Sequence, residues 1–208
     1  MSAKKQLTEN EIIHYFGFLT EEITNFDCGS LCKPENDGIP FCCVTDNAVP
    51  LLYSSEFKFL SKSTDMWSRW KPVTKDDRKL QKDTESKESI FCQCKGIAKC
   101  ERDFRSISCR TFPLEPYIDR RGIFVGLVFM KEFRHGCPLS KKPREIRQEF
   151  VDQHFSFWEK LLLRKENERE TYTDSSKDLR RDAKKTKKKF PVLLPSYMKI
   201  KDIADYLY

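Results

Sequence analysis

Apolar residues come in patches along this chain, separated by long polar stretches, and the first patch has a helical period. Thr8 followed by Glu11 has the spacing of a capping box. Ile12, Ile13, Tyr15, Phe16 and Phe18 then supply an apolar face, so residues 9–24 read as a helix. Residues 28–43 hold Gly29, Pro34, Gly38 and Pro40 and read as a loop. Residues 49–53 read as a short extended piece, and Ser54 or Ser55 can cap a short helix through Phe57 and Leu60. Residues 62–88 are polar apart from a cluster at Trp67, Trp70 and Pro72 and read as a surface excursion.

Residues 118–133 read as a hairpin, with Asp119, Arg120, Arg121 and Gly122 in the turn and residues 123–130 as a buried strand. Pro143 stands where a helix can begin. Ile146, Phe150, Val151, His154, Phe155, Trp158, Leu161 and Leu162 recur at helical spacing, so residues 144–168 form the clearest helix. A charged tract follows, and Ile200, Ile203, Ala204 and Leu207 make a short amphipathic helix able to dock back. The expected class is α+β: a small metal-stabilised domain over residues 1–168, with a short antiparallel sheet, cysteine-bearing loops and flanking helices. Residues 169–208 are expected to be a basic tract ending in that short helix.

Charge sharpens this division. The net charge is +7, and residues 177–189 carry eight basic residues against two acidic ones, so nearly all of it resides there. Such a run can bind a phosphate backbone, which makes a zinc-stabilised nucleic-acid-binding module one alternative. A solvated helix face or linker is the plainer reading and is preferred. No apolar leader opens the chain, and the longest apolar run, residues 122–130, is too short to span a bilayer. The expectation is therefore a cytoplasmic protein without a membrane partner.

That expectation changes how the nine cysteines read. A reducing compartment disfavours disulfides, so dense cysteine points to metal or redox chemistry. The groups are Cys28, Cys32, Cys42 and Cys43; then Cys92, Cys94, Cys100 and Cys109; then Cys137. Cys42 and Cys43 are adjacent and cannot readily bond to each other. Four thiolates suit one tetrahedral zinc or one iron–sulfur cluster, and the spacing does not choose between them. Arg102, Arg105 and Arg110 flank the second group, where a guanidinium can offset thiolate charge. Arg110 adjoins Cys109 and is the one expected at the cofactor. His135 is near enough to Cys137 to compete as a ligand, but cysteine already exceeds need. His14 and His154 fall on apolar helix faces and read as packing residues, as do Trp67 and Trp70. Glycine-rich nucleotide loops, a nucleophile elbow and the HExxH zinc motif are missing from the sequence.

The cysteine order, with Arg105, Cys109, Arg110, Phe112 and Pro113 and the Cys42–Cys43 pair, resembles the YkgJ family of zinc- or iron-chelating cysteine-cluster proteins. That family's pattern runs CxxCxxCC, a later cysteine, C…RPxxCRxFP and a terminal cysteine. The resemblance covers about residues 25–140. This chain departs from it in a CxxxC first spacing, in the nine residues between Cys32 and Cys42, and in Ser106 where the family has Pro. The resemblance implies a metal set of Cys28, Cys32, Cys42, Cys43, Cys92, Cys100, Cys109 and Cys137, with Cys94 as the ninth cysteine outside it. A related flagellin lysine N-methylase is thought to hold an iron–sulfur cluster. A metal-dependent enzyme modifying a protein partner is thus a further alternative.

Overall fold

The computed structural model describes residues 6–207. Met1–Lys5, part of the stretch read for a leader, and Tyr208 lie outside the described residues. The fold class is α+β, with short antiparallel sheets among helices. The described residues divide into two compact units, one of residues 6–20 and 29–112, the other of residues 21–28 and 113–207. The residues after 168 belong to the second unit, and Leu179, Phe190, Ile203 and Leu207 are buried in its core.

In the first unit, α1 (Glu9–Phe18) opens on Thr8, whose hydroxyl accepts from the Glu11 N–H while the Glu11 carboxylate takes the Thr8 N–H at 2.8 Å. This satisfies helix-end donors that would otherwise be orphaned. Ile12, Tyr15 and Phe16 are buried, Ile13 is half exposed, and His14 is exposed with its ring stacked on Phe18 at 6.3 Å between centroids. The helix stops well short of residue 24, because Thr20, Glu21 and Glu22 break the apolar period. The N–H of Glu21 goes instead to Gln153 Oε1 within the second unit, at 2.9 Å.

β1 (Leu51–Tyr53) leads directly into α2 (Ser54–Ser63), much as expected. The polar stretch after it is more ordered than a surface excursion. It contains β2 (Trp67–Arg69) and α3 (Lys75–Thr84), the latter capped by Thr74 and Asp77. β3 (Ser89–Cys94) is the central strand, antiparallel to both β1 and β2. Trp67 and Trp70 are buried: the Trp67 indole N–H donates to the Phe104 carbonyl at 2.9 Å, and Trp70 packs edge-on against Phe91. Leu52, Leu60 and Met66 complete this core. Each such side chain contributes roughly 1.5–3 kcal/mol on burial. The five-residue α4 (Ile107–Thr111) closes the unit.

In the second unit, β4 (Leu114–Ile118) and β5 (Phe124–Phe129) form the expected hairpin around Asp119–Gly122. Gly122 takes φ +79°, a conformation that glycine adopts without strain. α5 (Gln148–Arg164) buries Phe150, Val151, Phe155, Trp158, Leu161 and Leu162. Its start is later than expected, because Pro143 opens a 3₁₀ turn of Pro143–Glu145 instead. His154 is buried, stacked on Phe150 with Nδ1 at 2.8 Å from the Phe150 carbonyl, a packing role as expected.

Most of the charged tract is helical: residues 177–186 are the C-terminal half of α6 (Glu166–Thr186), which packs on β4, and Lys187–Lys189 follow the helix. Arg180 turns inward to the Ile118 carbonyl at 2.6 Å and to the Tyr117 hydroxyl, and Lys131 pairs with Asp182. The chain after it lies along β5 through paired backbone bonds between Leu127 and Leu193, and α7 (Ala204–Leu207) follows a 3₁₀ turn at Ile200–Asp202. Ile203 and Leu207 are buried with Tyr117, Val125 and Leu179, so the terminal segment does dock back. No helix among the described residues is long and apolar enough to cross a membrane.

Candidate functional site

None of the nine cysteines is in a disulfide. Cys28 opens the 3₁₀ turn Cys28–Leu31 and, with Cys137, belongs to the second unit. Cys137 precedes the turn Pro138–Lys141, and its N–H donates to the Phe133 carbonyl at 3.0 Å. The other seven belong to the first unit.

Cys32 follows the first turn, and its sulfur accepts the Phe41 N–H at 3.3 Å. Cys42 and Cys43 share the turn Phe41–Cys43. The pair faces two ways: Cys42 is exposed and Cys43 half-buried. Cys100 ends the turn Ile97–Lys99. Cys109 lies in α4, where its N–H donates to the Ser106 hydroxyl that caps the helix, at 3.1 Å. Ser106, the residue that stands in place of the family's proline, thus has a local role of its own.

Cys94 feels the charges of Cys43 and Cys100, and Cys109 those of Cys94 and Cys43. Arg105 lies among them. Its guanidinium donates a hydrogen bond to Cys100 and feels the charges of Cys100, Cys109 and Cys43. Burial lowers the Arg105 pKa, but these sulfur interactions together outweigh that and hold it above its usual value. Desolvation pushes the Cys109 thiol up to about 12, against a lowering hydrogen bond from Ser106. Desolvation also raises Cys94, against an amide hydrogen bond from Gly96.

Arg110, the arginine expected at the cofactor, is placed as a backbone clamp. It donates to the carbonyls of Leu19 at 2.9 Å, Arg105 at 2.9 Å, Asp103 at 2.8 Å and Arg102 at 3.3 Å, and its guanidinium lies over the Phe16 ring. Five donors in one rigid fork suit the gathering of several carbonyls. Arg105 donates to the Cys100 sulfur, and Arg110 lies within electrostatic reach of Cys109.

Cys92 is wholly buried in β3, with its thiol pushed up to about 12 by desolvation and with Arg69, Glu56 and Glu85 as its charged neighbours. Glu56 was not legible from the sequence. It is completely buried, accepts the N–H groups of Ile107 at 2.6 Å and Tyr53 at 3.2 Å, and burial pushes its carboxyl up to about 7.

The donor chemistry around Arg105 fits a thiophilic metal, since soft sulfur suits zinc and iron–sulfur clusters. The side chains as placed do not close a coordination shell: among the described residues, no three of the histidines, cysteines and acidic residues stand together closely enough to hold an ion. No family model matches this chain, and neither does any curated protein or solved structure.

Proposed function

We propose that this chain is a cysteine-ligated metal-binding protein of the YkgJ type, holding zinc or iron, the latter as an iron–sulfur cluster. The observation that supports it is the nine cysteines in motif-like groups, of which Cys43, Cys100 and Cys109 lie within electrostatic reach of the Arg105 guanidinium. Four thiolates and a divalent ion carry a net charge of about −2, which a neighbouring guanidinium offsets. Binding would require the turns at Phe41–Cys43 and Ile97–Lys99 to draw their thiols inward, so part of the binding energy would be spent ordering them.

The reading is tested by purifying the protein without oxygen, measuring its metal content and recording its visible absorption. Stoichiometric zinc in a colourless protein, or iron with sulfide-to-iron charge-transfer bands, is the expected result. A colourless protein with neither metal overturns the reading. A protein-modifying reaction rests on resemblance alone, and nucleic-acid binding rests on the exposed lysines at the end of α6.

A further inference from the structure

The end of α6 concentrates cations that the helix itself does not need. Residues 184–189 hold five lysines in six positions, and all six side chains are exposed. We propose that this run is a docking surface for the phosphate backbone of a nucleic-acid duplex, bound without regard to sequence. It lies in the second unit and stands independently of the metal-binding reading above.

The acidic residues nearby are already engaged. Asp174 pairs with Lys177 at 2.9 Å, Asp178 with Arg181 at 3.0 Å, and Asp182 with Lys131 from the turn after β5. Arg180 turns inward to the Ile118 carbonyl. Among the described residues, no carboxylate stands within ion-pair distance of Lys184, Lys185, Lys187 or Lys188. A helix C-terminus carries the equivalent of about half a negative charge, which a single lysine more than matches. The remaining lysines repel one another, and a polyanion relieves that repulsion. Lys187 ends the helix at φ +55°, a conformation that glycine adopts without strain. A cation thus occupies a position that backbone geometry alone would give to glycine.

The run is anchored on both sides. Before it, Leu179 is buried and Ser176 accepts the Ile118 N–H at 2.9 Å. After it, Phe190 is buried edge-on against Tyr117. Cations carried on an anchored segment lose less freedom on binding than those of an unstructured tail. No large apolar side chain is exposed among residues 177–189, so the run has nothing to insert between acyl chains, which favours a nucleic acid over a bilayer surface. Lysine ammoniums are point charges without the planar fork that reads a base edge, and no aromatic ring stands among residues 177–189 for an unpaired base to stack on. The chemistry therefore fits duplex backbone, recognised by charge.

The test follows the fluorescence anisotropy of a labelled, mixed-sequence DNA duplex titrated with the full chain at several salt concentrations. Four lysines on four phosphates give a log–log salt slope of about −3.6, so a fourfold rise in salt is expected to weaken binding roughly 150-fold. Replacing Lys184, Lys185, Lys187 and Lys188 together by Gln is expected to abolish that slope and to weaken low-salt binding by about a hundredfold or more. Replacing the same four by Arg is expected to retain both. Replacing Lys58, Lys71, Lys79 and Lys82, exposed lysines of the first unit, by Gln removes the same formal charge and is expected to leave the affinity within about twofold. Circular dichroism checks each fold, and Lys184→Gln with Lys185→Gln, expected to remove about half of the slope, serves if the fourfold variant does not fold. Equal loss from the two fourfold Gln variants overturns the proposal, because net charge rather than this surface would then govern binding. A wild-type chain that does not bind the duplex at low salt also overturns it, as does cosedimentation with phosphatidylserine vesicles at a salt concentration where the duplex is not bound.

Discussion

The Glu56 carboxylate accepts the backbone N–H of Ile107 at 2.6 Å, and so fixes the first turn of the helix that carries Cys109. Its other oxygen takes the Tyr53 N–H at the start of α2. One fully buried side chain thereby ties two helix starts together. Desolvation raises its pKa from 4.5 to about 7, with the two amides and Arg110 opposing the rise only in part. In the folded chain the proton is therefore held more tightly than in the unfolded one. The associated stability is present in full below the unfolded value of about 4.5 and is lost as pH rises through about 7. Thermal midpoints of the wild type should fall between pH 5 and pH 8. Glu56→Gln should be less stable at pH 5, because its amide NH₂ faces one of the two N–H donors, but should show a flatter pH slope. An unchanged slope in that variant would sink the assignment.

Glu115 gives a second acid in the same window, in the other unit. It is buried on β4, accepts the Ser175 hydroxyl at 2.7 Å, and burial pushes it up to about 7. The sign is the same as for Glu56: stability is lost as pH rises through about 7. A glutamine can still accept from Ser175 without carrying charge. Glu115→Gln should thus match the wild type at pH 5 and exceed it at pH 8, by a few degrees in thermal midpoint for each ~1 kcal/mol of relief. A variant less stable than wild type at pH 8 would show that the ionised carboxylate is favoured there.

Thiol reactivity should follow placement. In the reduced, metal-free chain Cys42 is exposed, whereas Cys92 is wholly buried with its thiol pushed up to about 12. Only thiolates alkylate at useful rates. Iodoacetamide labelling followed by mass spectrometry should modify Cys42 early and Cys92 only on unfolding. Early labelling of Cys92 would contradict the burial of β3.

What the sequence made legible was the periodic part. The capping pair Thr8 and Glu11, the turn at Asp119–Gly122 and the apolar stripe of α5 each follow from local rules that the fold respects. α6 escaped because its anchoring to β4 is largely polar. Ser176 accepts the Ile118 N–H at 2.9 Å, Ser175 bonds Glu115 and Arg180 bonds Ile118, while Leu179 is its one buried aliphatic side chain. Hydrophobic periodicity is blind to such a face. At the candidate site, spacing found the turns but not the partners. Arg105 and Arg110 differ in what they bond through folding of the 102–110 segment, and Glu56 is brought to Ile107 by a contact 51 residues away in sequence.

The terminal strap offers a last test, confined to the second unit. Leu127 and Leu193 exchange backbone hydrogen bonds of 2.9 and 2.8 Å, and Gly126 lets the strap approach that closely. A Cβ built on Gly126 would stand 2.6 Å from the Leu193 carbonyl oxygen and 3.0 Å from Val192 Cγ1. The first is a backbone atom held by its own hydrogen bonds, so it cannot swing aside as a side-chain end would. Gly126→Ala should therefore push the strap off β5, at a cost of about 1–3 kcal/mol. The released segment includes Phe190, which packs edge-on against Tyr117, and Ile203 and Leu207, which share its core. Hydrogen exchange should accelerate at Leu193 and Leu127 and across residues 200–207, while Leu52 and Phe91 in the first unit keep their protection. Unchanged exchange at Leu193 in a folded Gly126→Ala chain would show that the strap tolerates the methyl group, and that this close approach does not hold it in place.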